Sequence, residues 1–174
     1  MAVLPVVEIP DPRLRLVSKP VEAVDDGVRT LVADMIETMY AAAGIGLAAI
    51  QVGVDRRVLV IDLQEREDED KKPIRDPRAY INPEIIAESE ETTVYNEGCL
   101  SIPEQYAEVA RPTSCTVRWL DEQGATHEEE MTGLLATCMQ HEIDHLNGVL
   151  FIDHISRLKR SMLLKKLDKQ RRAG

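Results

Sequence analysis

Aromatic residues are scarce in this sequence, at 3% of 174 residues, and no apolar run approaches the length of a membrane-spanning helix. Such a helix needs about 20 apolar residues, so we expect no membrane association. So few aromatic rings give no stacking platform for nucleic-acid bases, and sequence-specific binding to nucleic acid is not expected. The start, MAVLPVVEIPDP, lacks the charged n-region of a signal peptide and has prolines at positions 5 and 10. That argues against a signal peptide and predicts a cytoplasmic protein.

Cysteine is also sparse, with only Cys99, Cys115 and Cys138. A small, odd number in a chain of this kind does not describe a disulfide framework. At least one of the three is therefore a candidate for metal binding or catalysis.

The pattern of apolar residues and turn signals predicts a single domain, residues 1–174, of the α+β class with mostly antiparallel sheet. An N-terminal helix is expected between Asp25 or Asp26 and Gly44, a central helix over 134–146 and a C-terminal helix over about 155–169. Strands are expected in the segments RRVLVIDL, AYINPEII, TTVYNEG, QYAEVAR and SCTVRWLDEQG, with an exposed charged loop at 64–78.

The segment QHEIDHLNG places His141 and His145 four residues apart, with Glu142 between them. On a helix both imidazoles lie on one face and can bind one metal ion, while the glutamate can reach a metal-bound water. The helix is apolar on its other side, so we expect the sheets to surround it. The alternative is a polar helix face with salt bridges, although buried, unpaired histidines beside an acid would be costly.

Two histidines leave a catalytic metal site without a third ligand. His154 lies beyond the Asn147-Gly148 stop in an apolar run, and we interpret it as structural. Cys138 is on the same side of the helix as His141, and we expect it to line the pocket beside the metal ion. Cys99, after a glycine at the predicted end of a strand, is the strongest candidate, although a single buried cysteine is more often a small hydrophobe.

A glycine-rich element, GIGLAAIQ, runs from Gly44 to Gln51. It is not a dinucleotide-binding fingerprint, because it lacks the third glycine and follows a helix. Its small residues permit close packing, and Gln51 adds an amide donor. Taken alone, this segment is more typical of a tight connection between a helix and a strand than of a functional site.

Together, GIGLAAIQ, EGCLS and QHEIDH resemble the three signature motifs of the peptide deformylase family, in the same order and with comparable spacing. The stretches PDPRLR, INPEI and GLLATCMQHEIDHLNGVLFID extend the resemblance over nearly the whole chain. It is a resemblance to the bacterial form with an extended C-terminal helix.

The resemblance implies that Cys99, His141 and His145 bind one divalent metal ion, with water as fourth ligand. Fe²⁺ is the usual metal of the family, and Zn²⁺, Ni²⁺ or Co²⁺ can replace it. The implied substrate is the N-formylmethionyl end of a newly made polypeptide, from which formate is released. Glu142 would be the general base and acid, and the Gln51 amide and the Leu100 N–H would stabilise the oxygen of the formyl group.

The resemblance also implies a substrate pocket for the methionine side chain and the adjoining backbone. One pocket residue departs from the family, because many bacterial relatives have arginine where Tyr106 stands. Asp144 is expected to anchor the central helix by pairing with Arg111. The implied pocket residues are Gly44, Ile45, Gly46, Glu97, Tyr106, Thr137 and Cys138.

The end of the chain is basic although the whole is acidic. Residues 156–174 contain eight Lys or Arg and one Asp, whereas the net charge of the chain is −10. In the family the C-terminal helix can dock on the ribosome, and a basic helix suits ribosomal RNA. The alternative is an ordinary solvated helix end.

Two other functions fit parts of the pattern. A zinc metalloprotease would need a third His or Glu ligand and would cleave unformylated chains. A structural metal domain would need Cys138 as a fourth ligand, which would leave no open position for water and no purpose for Glu142.

Overall fold

The computed structural model describes all 174 residues and contains three α-helices and seven β-strands. The helices are α1 (Asp26–Ala41), α2 (Gly133–Leu146) and α3 (Arg157–Ala173). The strands are β1 (Gly46–Ala48), β2 (Val58–Ile61), β3 (Arg78–Glu88), β4 (Thr92–Cys99), β5 (Ile102–Pro112), β6 (Ser114–Leu120) and β7 (Thr126–Thr132). Short 3₁₀ helices occupy Pro12–Arg15, Ala49–Val52 and Phe151–His154.

The strands form two separate antiparallel sheets. The larger has the order β1-β2-β3-β6-β7, and the smaller is the β4-β5 hairpin. Helix α2 contacts strands of both sheets. The prediction of an α+β fold with antiparallel sheets around a central helix is therefore confirmed.

The larger sheet lies between α1 and α2, and the side chains of β2 pack alternately against these two helices. Val58 and Val60 join the apolar cluster formed with α1, whereas Leu59 and Ile61 join the cluster formed with α2. Successive side chains of a strand point to opposite faces of the sheet. Because a helix covers each face here, every residue of β2 has to be apolar. The Asp25 side chain caps α1 by accepting a hydrogen bond from the Val28 N–H at 3.0 Å.

Helix α2 ends inside the protein and its terminal groups are satisfied there. The Leu146 carbonyl accepts hydrogen bonds from the Ser18 N–H at 2.8 Å and from Arg57 Nη1 at 2.9 Å. Asn147 is the C-cap, and Gly148 follows with a φ of 74°. A side chain at Gly148 would meet the Arg15 carbonyl oxygen at 2.5 Å, so only glycine fits this turn.

Three elements differ from the sequence-based prediction. Strand β7 is not among the predicted strands, because its residues are exposed except for Met131 and show no apolar alternation. Strand β1 lies within the expected helix-to-strand connection. The C-terminal helix is longer than predicted. Helical spacing predicts an apolar face of Leu158, Met162, Leu163 and Leu167, but Leu158 and Met162 are 71% and 62% exposed and only Leu163 and Leu167 are buried.

None of the helices combines the length and the apolar character of a membrane-spanning segment.

Candidate metal centre and its pocket

Helix α2 and the end of β4 bring together the three predicted metal ligands. The ligand atoms of Cys99, His141 and His145 all lie within 4.8 Å of one another. Cys99 Sγ is 3.3 Å from His145 Nε2. The structure does not bring His154 to this group, because its Nε2 bonds to Asp144 Oδ2 at 2.8 Å.

One histidine is oriented by a chain of buried charges. His141 Nδ1 donates to Glu97 Oε1 at 2.9 Å, which leaves its Nε2 free to face the cluster. Arg111 holds Glu97 in turn, with Nε and Nη2 at 2.7 and 3.0 Å from the two carboxylate oxygens. Its Nη1 donates to Asp144 Oδ2 at 2.8 Å, the contact that the sequence predicted. A carboxylate behind a ligating histidine fixes the ring and raises its basicity.

The buried position of these groups sets their protonation. Burial, together with the charge of His141, holds the pKa of His145 well below its ordinary value, so this ring stays neutral. Burial alone would lower the pKa of His141, but its neighbours Cys99 and Glu97 raise it well above the ordinary value. A cation at the cluster would have to displace that proton, because only a neutral imidazole is a ligand.

The cluster fits a catalytic rather than a structural metal ion. One thiolate and two imidazoles are ligands that Zn²⁺, Fe²⁺ and related ions accept. Cys138, the fourth ligand that a closed site would need, lies outside the group of three and lines the adjoining pocket. Three protein ligands beside a pocket leave a position for water or substrate.

Glu142 lies beside the cluster and is 4% exposed. Its Oε1 is 3.7 Å from His141 Nε2, and its Oε2 has no hydrogen-bond partner within the protein. Burial raises the pKa of Glu142 to about 7, against the opposing charges of His141 and Arg111. A carboxyl group with a pKa near neutrality can both accept and return a proton.

Gln51 lies beside Cys99, in the 3₁₀ helix after β1. Its Oε1 accepts a hydrogen bond from the Ala48 N–H at 2.9 Å. Its Nε2 lies 3.1 Å from Ser101 Oγ and 3.4 Å from Cys99 Sγ. The amide nitrogen is therefore fixed next to a metal-ligand candidate.

A pocket of about 450 Å³ opens onto these groups. Every residue that the sequence placed in the substrate pocket lines it, together with Gln51 and Leu100. Glu97 contributes to the wall, but its carboxylate is occupied by Arg111 and His141 and is not free for a substrate. The lining also includes Cys99, His141 and Glu142.

Comparison with known proteins decides the family. The sequence profile described as "Polypeptide deformylase" matches residues 3–161. A peptide deformylase of Rhizorhabdus wittichii is 70% identical over 173 residues, which cover 99% of this chain and 98% of that protein. This chain belongs to the polypeptide deformylase family. The resemblance and the enzyme class predicted from the sequence are thereby confirmed.

Solved structures of deformylases share the fold. A crystal structure of a peptide deformylase from Legionella pneumophila has a TM-score of 0.89 and 45% identity, covering 99% of this chain and 97% of that one. A peptide deformylase from Ehrlichia chaffeensis in complex with actinonin has a TM-score of 0.87 and 43% identity, covering 98% of each chain.

Close packing explains the second glycine, Gly46, of the deformylase motif GIGLAAIQ. A Cβ at Gly46 would lie 3.0 Å from Cys138 Sγ and 3.2 Å from the Glu142 side chain. Strand β1 can approach α2 this closely only because Gly46 has no side chain. The glycine thus sets the width of the pocket beside Glu142.

The sequence did not identify every residue that shapes this deformylase site. Ser101, which is fully buried and bonded to Gln51, was visible only as the last letter of EGCLS. Glu97 was predicted to lie in the pocket and does line it, but the sequence did not indicate that its carboxylate also bonds to His141. Residues 97 and 141 are far apart in sequence, so spacing gives no signal for their contact.

Proposed function

We propose that this protein removes the formyl group from the N-terminal formylmethionine of newly made polypeptides and releases formate and a free amino terminus. One observation carries the proposal. The Cys99, His141 and His145 ligand atoms lie within 4.8 Å of one another, beside the buried carboxylate of Glu142 and a pocket large enough for an amino-acid side chain.

Cys99, His141 and His145 would hold one divalent metal ion. When bound, such an ion polarises a carbonyl oxygen and lowers the pKa of water. Fe²⁺ is the proposed ion, on the basis of the family resemblance, and the same donors would accept Zn²⁺, Ni²⁺ or Co²⁺.

Glu142 is the proposed general base and acid. Its carboxylate takes a proton from the attacking water and then delivers one to the amine nitrogen as the C–N bond of the formamide breaks. The surrounding protein supports both steps, because burial raises the pKa of Glu142 to about 7. The group therefore exchanges its proton readily near neutral pH.

Gln51 and Leu100 are the proposed donors to the formyl oxygen. As the formyl carbon becomes tetrahedral, this oxygen gains negative charge, and fixed N–H groups stabilise it without reorganisation. The Gln51 amide is held through Ala48 and Ser101, so its position does not depend on substrate. Loss of one such donor costs on the order of 10²–10³ in turnover.

The pocket is proposed to select methionine. Ile45, Thr137 and Cys138 line it, together with Gly44 and Gly46, which add no side chains of their own. An unbranched thioether with three rotatable bonds adapts to such an enclosed, mostly uncharged space.

The proposed place of action is the ribosome in the cytoplasm, where formylated nascent chains emerge. The protein would act there as a single catalytic domain of residues 1–174. The basic segment 156–174, most of which forms α3, supports docking to ribosomal RNA, because eight of its residues are Lys or Arg.

Formate release from short peptides tests the function directly. Protein loaded anaerobically with Fe²⁺ is expected to release one formate per formyl-Met-Ala-Ser-amide consumed. Acetyl-Met-Ala-Ser-amide, the matched control, should be inert or nearly so, because its carbonyl carbon carries a methyl group where the formyl carbon carries only hydrogen. Actinonin, which is bound in the Ehrlichia chaffeensis structure, is expected to inhibit the reaction.

The same assay separates the rival functions. Cleavage of internal bonds in unformylated peptides would favour a metalloprotease. A metal-loaded protein without turnover of any peptide would favour a structural metal domain.

A further inference from the structure

The two proposed donors to the formyl oxygen lie in segments that belong to different sheets. Gln51 is in the 3₁₀ helix that follows β1, an edge strand of the larger sheet, whereas Leu100 is in the turn between β4 and β5 of the smaller sheet. Two donors stabilise one oxygen atom only if they are fixed relative to each other. The separation of these two segments therefore matters for the reaction.

A segment near the N-terminus bridges them through its main chain. The Val7 N–H donates to the Gln51 carbonyl oxygen at 2.7 Å, and the Ile9 N–H donates to the Ser101 carbonyl oxygen at 3.0 Å. One bond therefore holds the residue that carries the first donor, and the other holds the residue directly after Leu100. We call residues 7–9 the N-terminal strap.

The side chains of the strap pack on the same two segments. Val7 is buried and lies beside Gly53, the residue that ends the 3₁₀ helix of Gln51. Ile9 packs against the apolar cluster that contains Ile102, the first residue of β5. The strap thus contacts both segments through its side chains as well as its N–H groups.

The strap is also attached to two helices. Just before it, the Leu4 N–H donates to Thr38 Oγ1 of α1 at 2.8 Å. From the other side, Arg171 Nη1 of α3 donates to the Ile9 carbonyl oxygen at 2.7 Å. These bonds fix the strap to the body of the protein, so its two N–H groups provide fixed reference points for the site.

We propose that the N-terminal strap is a positioning element for deformylation, which holds Gln51 and Leu100 at the separation at which both donors reach one formyl oxygen. The inference rests on the proposed function. The positioning groups are the main-chain N–H groups of Val7 and Ile9. Neither residue lines the pocket, so the strap acts only through the two donors.

Replacing Val7 with Pro tests the strap, because proline has no N–H to donate to Gln51. The value of kcat for formyl-Met-Ala-Ser-amide is expected to fall by about 10–100-fold, since displacement of a positioning contact by about 1 Å can cost 10²-fold. KM should change little, because the negative charge on the oxygen develops only towards the transition state.

Two further variants show whether the lost N–H causes the effect. V6P is the matched control, because the Val6 N–H makes no main-chain hydrogen bond, and it should keep the wild-type kcat. V7A retains the N–H and loses most of the side chain, so it is expected to recover most of the kcat that V7P loses. Every variant should bind one equivalent of Fe²⁺, because the strap contains none of the clustered ligands.

The double variant V7P/Q51A shows whether the strap acts through Gln51. In the Q51A background V7P is expected to lower kcat by less than about twofold, because the donor that Val7 holds is already absent and the two effects are not additive. A merely structural role of the strap predicts the same loss in both backgrounds.

V7G provides a second variant in case V7P does not fold. Glycine keeps the N–H but gives the strap more backbone freedom, so kcat is expected to fall by about two- to fivefold. This smaller loss should also disappear in the Q51A background.

The outcomes separate the strap from the proposed function. A wild-type kcat in folded V7P, an equal loss in V6P, or an undiminished effect of V7P in Q51A would overturn the strap while leaving deformylation intact. If V7P does not fold, a wild-type kcat in V7G would overturn it. Failure of the wild-type protein to release formate from any formylated peptide would instead refute the proposed function, and with it the strap.

Discussion

Replacing Glu142 with Gln is expected to lower kcat for formate release by about 10²–10⁴-fold, the usual contribution of general acid–base catalysis. Glutamine preserves the size of a side chain that is 4% exposed and packed against Gly46, so the pocket should keep its shape. It cannot accept a proton from water or deliver one to the leaving nitrogen. Steady-state assay of formate release measures the effect.

The metal content of E142Q shows whether the variant has lost only its proton-transfer group or has also lost the metal ion. The variant is expected to bind one equivalent of metal, because Glu142 is not among the three clustered ligands. E130Q, on the exposed face of β7, is the matched control and should keep normal turnover. If E142Q turned over at the wild-type rate, another group would have to move the proton.

Replacing Arg111 with Ala is expected to lower the free energy of unfolding by about 3–5 kcal/mol, the cost of breaking a buried ion pair. The Arg111 and Glu97 side chains are only 5% and 6% exposed, so the variant leaves a buried carboxylate with His141 as its only remaining side-chain partner. Urea denaturation of the metal-free protein measures this effect without a contribution from metal binding. Glu97 also orients His141, so metal affinity should fall about 10–100-fold as well.

An exposed ion pair provides the control for Arg111. Arg118 and Glu128 lie 3.2 Å apart, with side chains 52% and 51% exposed. R118A is expected to cost about 0–1 kcal/mol, since exposed ion pairs contribute little. Equal stability losses in R111A and R118A would show that the buried network does not support the central helix.

Local periodicity predicted the parts of the site that lie on one element. His141 and His145 are one helical turn apart, so their common face follows from sequence alone. The same reasoning predicted the buried strand β2 and helix α1, with Asp25 or Asp26 as its cap, and the structure shows that the cap is Asp25. Cys99 required the family motif, because no spacing rule links a strand end to a distant helix.

The remaining contacts depend on tertiary packing. Glu97 reaches His141 only because the β4-β5 hairpin lies against α2, and Arg111 reaches Glu97 across that hairpin. Leu158 and Met162 fit a helical period, yet the sequence does not say which side of α3 meets β5. Strand β7 escaped prediction because an exposed edge strand needs no apolar residues.

X-ray absorption at the metal edge of the loaded protein tests the central claim, that Cys99 completes the site begun by His141 and His145. One sulfur atom and two imidazole nitrogens are expected around the ion, and the sulfur contribution should disappear in C99A. A coordination shell of nitrogen and oxygen alone in the wild-type protein would contradict the proposed site.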